Sequence, residues 1–338
     1  ISSMTDEAIT AGFASLKDGS EYDNLYEAAK CRSEADWLVG INATRAFTLK
    51  YNSLLSIGRV QTPTLALIVS RQKEIDAFKP EEYWEVEADF GEYKGTHIND
   101  KNETRINKKE AAQEIVNKVK GKTGSVTSIE NEEKKNPAPF LYDLTELQRD
   151  CNRKYGLSAQ KTLDIVQDLY EKRKMVTYPR TDSQYVTEDM KETVKMLAES
   201  MTDFLPFLES GQIRGNIDRV VNNAKVSDHH AILPTKEAME KGMGGLSGGK
   251  KNLLMLIGQQ LVQATGEEYL YEQTEISVQC KEHEFTAKGK LPVQMGFKEV
   301  EEAFRKYCVK DKKSDEPDNK TELPEGYEEG MTLASVKA

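Results

Sequence analysis

Apolar and polar positions alternate with different periods along this chain, and the period divides it into blocks. Thr5 is placed as an N-cap, with Ile9, Phe13 and Leu16 behind it at helical spacing. A longer helical pattern follows over about 24–50, with Leu25, Ala29, Val39 and Ala43 in phase. Gly58 interrupts it, Leu65, Ile68, Val69 and Ile75 resume it, and Pro80 closes this all-helical block. The period then becomes two. Trp84, Val86, Ala88 and Phe90 alternate with Glu85, Glu87 and Asp89, which predicts a half-buried antiparallel strand over 83–90. Asn107 and Glu110 have capping-box spacing for a helix ending near Gly121, and 126–129 reads as a strand. Residues 274–280 and 284–288 read as a hairpin around Lys281-Glu282-His283.

Between these β-rich pieces the pattern is helical. Asp143 and Glu146 predict a helix start, and Gly156 a helix end in the C′ position. Ser158 caps a second helix, 159 to about 174, whose expected buried stripe is Leu163, Val166, Leu169 and Tyr170. Two helices joined through a glycine turn have the form of a helix-turn-helix. A strand ending at Tyr178 is expected directly afterwards. Residues from about 310 to 330 are charged and rich in Pro and Gly, and read as a connecting loop.

Composition limits the class. The 338 residues suffice for two or three domains, and no apolar run approaches the ~18–20 residues of a membrane span. No signal peptide precedes the first helix, and a chain opening at Ile1 reads as processed or excised from a longer protein. The four cysteines contain no C-x-x-C, which fits free thiols in a cytoplasmic protein and predicts no zinc site. The histidines form no metal cluster in sequence. The net charge of −10 counts against a nucleic-acid partner, unless arginines and lysines line one groove of an acidic protein.

The chemistry concentrates in Val176-Thr177-Tyr178-Pro179-Arg180-Thr181-Asp182-Ser183-Gln184. A phenolic oxygen can act as a nucleophile, and a nearby guanidinium is a natural phosphate ligand. A tyrosine before proline is equally the end of a strand, and Arg180 could simply pair with Asp182. Ser227-Asp228-His229-His230-Ala231-Ile232-Leu233-Pro234-Thr235 offers two histidines, each a candidate hydrogen-bond donor or proton shuttle and each also an ordinary interior residue. In Ser56-Ile57-Gly58-Arg59-Val60-Gln61-Thr62-Pro63-Thr64-Leu65, the glycine allows close backbone approach and Arg59 can reach a phosphate. Arg59 could instead tie a helix end to a neighbour. Arg45 is a weaker candidate of the same kind. Lys172, Arg173 and Lys174 end a helix, where the macrodipole alone favours cations. Gly244 to Lys250 satisfies G-x-x-x-x-G-K, but Lys251 stands where a P-loop needs Ser or Thr, and the preceding 236–241 reads as helix. A flexible loop before a helix from about Asn252 is expected there.

These motifs, with Leu141 to Leu157 and Ala35-Asp36-Trp37-Leu38-Val39-Gly40-Ile41-Asn42, occur in one order over about residues 1–300. Together they resemble type IA DNA topoisomerases, the topoisomerase III branch most of all. The resemblance implies a multi-domain α and β fold: a helical base (1–79), a β-rich arch (80–137 with 269–338) and a helix-turn-helix-like domain (138–268) carrying the active-site tyrosine. It implies that Tyr178 attacks a single-strand phosphodiester without ATP and becomes a 5′-phosphotyrosine. Arg180 would bind the scissile phosphate and His229, rather than His230, would lie near it. Arg59, Gln61, Arg45, Lys172 and Arg173 would contact DNA. Single-stranded DNA, duplex passing through the arch, and a monomeric enzyme are implied. Mg²⁺ would be held by a Toprim domain that this chain lacks, so no metal ligand is expected here, and relaxation by this piece alone is not expected. A helix-turn-helix module that binds single-stranded DNA without chemistry, and a scaffold with a structural tyrosine, are the other readings.

Overall fold

The computed structural model describes residues 4–91, 93–209, 216–308, 328–333 and 337. Most of the 310–330 stretch therefore lies outside the described residues. The chain divides into two compact units, 13–82 and the remainder.

The smaller unit consists mainly of two helices, α2 (Asp23–Tyr51) and α3 (Gln61–Ala77). Asn52 stops α2 in the left-handed conformation, φ 51°, donating its N–H to the Thr48 carbonyl. The expected apolar stripes are present but uncovered: Leu25, Trp37, Val39, Leu65 and Ile68 are all exposed. Neither helix buries a single residue, because two long helices alone cannot enclose a core.

The larger unit begins with α1 (Asp6–Ala14), where Thr5 Oγ1 accepts from the N–H of Ala8 at 3.3 Å. One five-stranded antiparallel sheet has the order β1-β2-β5-β4-β3. Its strands are β1 (Glu87–Asp89), β2 (Lys94–Ile98), β3 (Ser125–Asn136), β4 (Tyr269–Cys280) and β5 (His283–Gln294). The inward side chains Val86, Ala88, Phe90, Val126, Val278 and Phe285 form one core with Val119 of α4 (Lys109–Val119).

Several expectations need correction here. The 83–90 alternation is real in burial, but only Glu87–Asp89 pairs as a strand, because Trp84 meets just an isolated bridge to Ile106. The Asn107–Glu110 capping box is not formed: Lys108 occupies the cap position without a side-chain bond. The 126–129 strand extends to Asn136, since main-chain pairing with β4 carries the charged residues 130–136 regardless of burial. The hairpin turn is only Lys281-Glu282, with Lys281 at φ 57°, and His283 already pairs with Cys280.

The helical core contains α5 (Leu144–Tyr155), α6 (Ala159–Glu171), α7 (Lys191–Phe204), α8 (Lys236–Lys241), the central α9 (Gly248–Ala264) and α10 (Lys298–Cys308). Asp143 caps α5 by accepting from the N–H of Glu146 at 2.7 Å, and Gly156 closes it at φ 65°. Ser158 caps α6, which ends three residues short of the expected Lys174. Thr162, Val166, Leu169 and Tyr170 are its buried positions, and Leu163 is half-buried. The Gly244 to Lys250 pattern is preceded by helix α8, and its last three residues are the first turn of α9 rather than a loop. Among the described residues no helix is long and apolar enough to cross a membrane.

The sheet carries a pH-sensitive group. His97 is 6% exposed and packs edge-on against Phe285 and His283, at ring-centroid distances of 5.6 and 5.3 Å. Burial, and then the neighbouring His283, lowers its pKa below the ordinary histidine value of ~6.5. The folded state therefore takes up a proton less readily than the unfolded state. The contribution of neutral His97 is complete above ~6.5 and is lost as pH falls through the lower folded value. Melting followed by circular dichroism should show a lower Tm at about pH 5.5 than at about pH 7.5. His97→Phe, which keeps the ring packing, should reduce that difference.

Candidate active site

Two segments, 174–178 and 229–235, are laced together within the helical core. Val176 bridges Pro234, and Ile232 bridges Tyr142, in antiparallel fashion. The N–H of Thr177 donates to the Leu233 carbonyl at 2.9 Å. Its hydroxyl donates to the Ala231 carbonyl at 3.2 Å and accepts from the N–H of Leu233 at 2.8 Å. Thr235 closes the other end, with its hydroxyl donating to the Lys174 carbonyl at 2.6 Å. Lys174 itself turns the chain out of α6 at φ 59°. The bridge at Val176 is isolated, so the expected strand is an extended loop pinned by side chains. Three threonines, Thr177, Thr181 and Thr235, occupy these segments or follow them, and their hydroxyls take over part of the ladder.

The lacing places Tyr178 beside His229. Met175, Val176 and Thr177 are buried, and Tyr178 emerges half-buried at the end of that run. Its ring centroid lies 4.2 Å from that of His229, with the planes inclined by 39°. Thr181 Oγ1 holds the His229 carbonyl at 3.0 Å, fixing the histidine's backbone from the tyrosine segment. Tyr170 of α6 meets the Tyr178 ring edge-on at 5.4 Å. Burial lowers the His229 pKa, with Asp228 acting in the opposite direction, so the imidazole is biased towards its neutral form. His230 points elsewhere: it is 9% exposed, and its Nδ1 donates to the Ala231 carbonyl at 2.7 Å.

Arg180 is exposed. It makes no ion pair with Asp182 among the described residues; its Nη2 donates to Gln167 Oε1 at 3.2 Å. Gln167 in turn donates to Glu171 at 2.7 Å. Lys172 pairs with Asp168 at 3.3 Å, and Lys250 reaches the same carboxylate at 2.5 Å. Hydrogen bonding to Lys250 chiefly, with Lys172 adding to it, holds the Asp168 carboxyl below the usual range. Arg173 is exposed, and no partner meets its side chain among the described residues. Sequence reasoning missed Gln167, Thr177 and the contact made by Tyr170. Tyr170 was legible only as a buried helix position.

Arg45, Arg59 and Gln61 belong to the smaller unit. Arg59 Nε pairs with Asp36 at 2.6 Å, tying the turn before α3 to α2. Gln61 is the first residue of α3, and its side chain lies against Gly58, 3.1 Å from where a β-carbon would stand. Arg59 and Gln61 line a shallow hollow with Asp36, Gly40 and Ile57, and Arg45 is not part of it. Arg45 is exposed on α2. Among the described residues no three His, Cys, Asp or Glu side chains converge in a way that could hold a metal ion.

A DNA topoisomerase family profile matches residues 20–338. DNA topoisomerase 3 of Bacillus subtilis is 40% identical over 339 residues, covering 99% of this chain and 46% of that protein. DNA topoisomerase 3 of Staphylococcus epidermidis is 38% identical over 352 residues, covering 100% of this chain and 49% of that protein. The chain thus spans about half the length of the curated relatives it matches. Full-length topoisomerase I from Thermotoga maritima superposes with a TM-score of 0.74 at 24% identity, over 99% of this chain and 53% of that one, which bears on the fold. With a family match over nearly its whole length and relatives of this similarity, the chain belongs to the DNA topoisomerase family, in its type IA class, as a relative of DNA topoisomerase 3.

Proposed function

We propose that these residues form the strand-cleaving part of a type IA topoisomerase, with Tyr178 as nucleophile. The observation that carries this reading is the pairing of a half-buried tyrosine with a histidine from a distant segment, their rings 4.2 Å apart and the histidine's carbonyl held by the hydroxyl of Thr181 from the tyrosine segment. In the proposed step the phenolic oxygen bonds to a phosphorus of single-stranded DNA. The bond from that phosphorus to the 3′-oxygen breaks, and the phenolic proton ends on the 3′-oxygen. A largely neutral His229 is suited to shuttling that proton. Arg180 neutralises the phosphate charge, and Gln167 orients its guanidinium. The ester conserves the bond energy, so the 3′-hydroxyl can reverse the step without ATP.

Arg59, Gln61, Arg45, Lys172 and Arg173 are proposed DNA contacts. Arg173 and Arg45 carry uncommitted charge, whereas Arg59 and Lys172 must first give up Asp36 and Asp168. Duplex DNA passing an arch formed by 80–137 and 269–338, in a chain that also has a base at 1–79 and a tyrosine domain at 138–268, completes the reading. So do a single chain as the working unit and a cytoplasmic location. Mg²⁺ is implied by the family, but the described side chains do not fit a ligand set for it, and no step here runs through a metal. The competing reading is a binding module built on α5 and α6 without chemistry.

Salt dependence tests the phosphate contacts. Each phosphate neutralised on a single strand contributes about −0.7 to the slope of log K against log salt. Arg180→Ala should flatten that slope by about this amount and lower adduct yield by about 10²-fold. An unchanged slope in fluorescence-anisotropy titrations would remove Arg180 from the DNA interface.

A further inference from the structure

The segment Gly244 to Lys250, which is no phosphate loop, ends on a lysine whose partner lies on α6. The first turn of α9 packs against that helix: a β-carbon on Gly249 would stand 3.4 Å from Ile165 Cδ1, one turn before Asp168. Lys250 Nζ lies 2.5 Å from Asp168 Oδ1. Lys172, the residue that ends α6, places its Nζ 3.3 Å from Oδ2 of the same carboxylate. Each lysine holds its own oxygen, so one can leave while the other stays.

The two lysines are not equivalent. The Lys172 side chain is 74% exposed, whereas those of Lys250 and Asp168 are 22% and 19% exposed. An exposed pair four residues apart on a helix is weak, so Lys172 is free to exchange its partner. Lys250 is enclosed with its carboxylate, and removing it would leave a largely covered charge without its closest cation. The surroundings make that charge matter. Gln167, the preceding residue, accepts from Arg180 at 3.2 Å. Lys172 leads through Arg173 and the turn at Lys174 into the run that ends at Tyr178. A bare carboxylate in this stretch would repel the phosphates that Arg180 and Lys172 are proposed to neutralise.

We infer that Lys250 is the resident counter-ion of Asp168 and that it frees Lys172 for a DNA phosphate. Lys250 is then a positioning residue: it acts on DNA binding through Lys172 and does not touch DNA itself. The inference rests on the proposed contact between Lys172 and DNA. Arg59 provides the contrast, because its partner Asp36 has no second cation among the described residues. When Arg59 turns to a phosphate it leaves a bare carboxylate behind, and when Lys172 does so it leaves a neutral pair.

The test is a set of salt titrations of labelled single-stranded DNA, followed by fluorescence anisotropy, on a chain of the relatives' full length. Lys172→Gln should flatten the log–log slope by about 0.7, the share of one phosphate. Lys250→Gln should flatten it equally, because Asp168 then retains Lys172. Two double variants of identical net charge separate position from charge alone. Lys250→Gln with Asp168→Asn should recover the original slope, since Lys172 is free. Lys172→Gln with Asp168→Asn should stay flattened by about 0.7, since the remaining lysine is enclosed. Circular dichroism establishes that each variant is folded, and Lys250→Met, which keeps most of the stem, replaces Lys250→Gln if that variant does not fold. An unchanged slope with Lys172→Gln, or no single-strand binding even at low salt, would remove the Lys172 contact and the inference with it. A slope flattened by Lys172→Gln but not by Lys250→Gln would overturn the inference and leave that contact standing. Equal slopes for the two double variants would overturn it as well, by reducing the effect to net charge.

Discussion

Tyr178→Phe should leave the protein folded and able to retain single-stranded DNA, yet abolish its covalent capture. The change removes one oxygen. No hydrogen bond engages that oxygen among the described residues, and the ring contacts with His229 and Tyr170 survive in phenylalanine. The stability change should therefore be no more than about 1 kcal/mol. Binding should persist because the guanidinium and ammonium groups remain. Chemistry should not, because the other polar groups lacing the site are threonine hydroxyls already committed to carbonyls at 3.2, 3.0 and 2.6 Å. The assay belongs in a chain of the relatives' full length, with Mg²⁺ supplied and a labelled single-stranded oligonucleotide, read on a denaturing gel. Melting temperature and filter retention on the same pair of proteins complete the measurement. A labelled adduct persisting in the Phe variant would show that another group is the nucleophile. A stability loss of several kcal/mol with no adduct in either protein would mean that the tyrosine is architectural.

What could be read ahead of the structure was what depends on neighbours in sequence. Thr5, Asp143, Ser158 and Gly156 act within three or four residues, and each caps a helix where the pattern placed it. The second half of β3 was not legible, because Glu130–Asn136 is held by the ladder to β4 and shows no alternation to read. The Tyr178 site divides along the same line. The motif around Tyr178 and the histidine pair were visible, but only the family resemblance chose between His229 and His230. The structure adds a physical distinction: one ring lies on the tyrosine and the other turns its Nδ1 to the Ala231 carbonyl. Lys250 was read as a residue of a false phosphate loop, and its pairing with Asp168 on α6 depends on tertiary packing alone. Lys172 shares the same carboxylate, so the two lysines and Asp168 together keep one positive charge, and the basic groove expected within an acidic protein is weaker at this point than the motif suggested.

Gly296→Ala should be among the most destabilising single changes available in the larger unit. Gly296 stands at φ +49°, between the end of β5 and the start of α10. A β-carbon there would lie 2.5 Å from the Glu267 carbonyl oxygen and in still closer contact with that of Glu268. Both obstacles are backbone, so no rotamer change relieves them. Neither carbonyl is free to turn away: Glu267 accepts from the N–H of Phe297 at 2.9 Å, and Glu268 accepts from Gln294 Nε2 at 3.0 Å. The left-handed conformation costs alanine about 1–2 kcal/mol, and parting two hydrogen-bonded chain segments should raise the total to about 3–5 kcal/mol. That is a large share of the ~5–15 kcal/mol by which a domain is stable. The location makes the effect more than local. The segments on either side of Gly296 and Glu268 connect the sheet to the helical core, and Arg219 closes the same junction by donating to the carbonyls of Ala138, Pro139 and Ala264. Gly244→Ala is the control, since nothing lies within 4 Å of its would-be β-carbon. Differential scanning calorimetry should show Tm lower by about 10 °C for Gly296→Ala and unchanged for Gly244→Ala. Coincident melts for the two variants would mean that the junction yields more easily than its hydrogen bonds imply, and that the sheet is less firmly held to the tyrosine-bearing core.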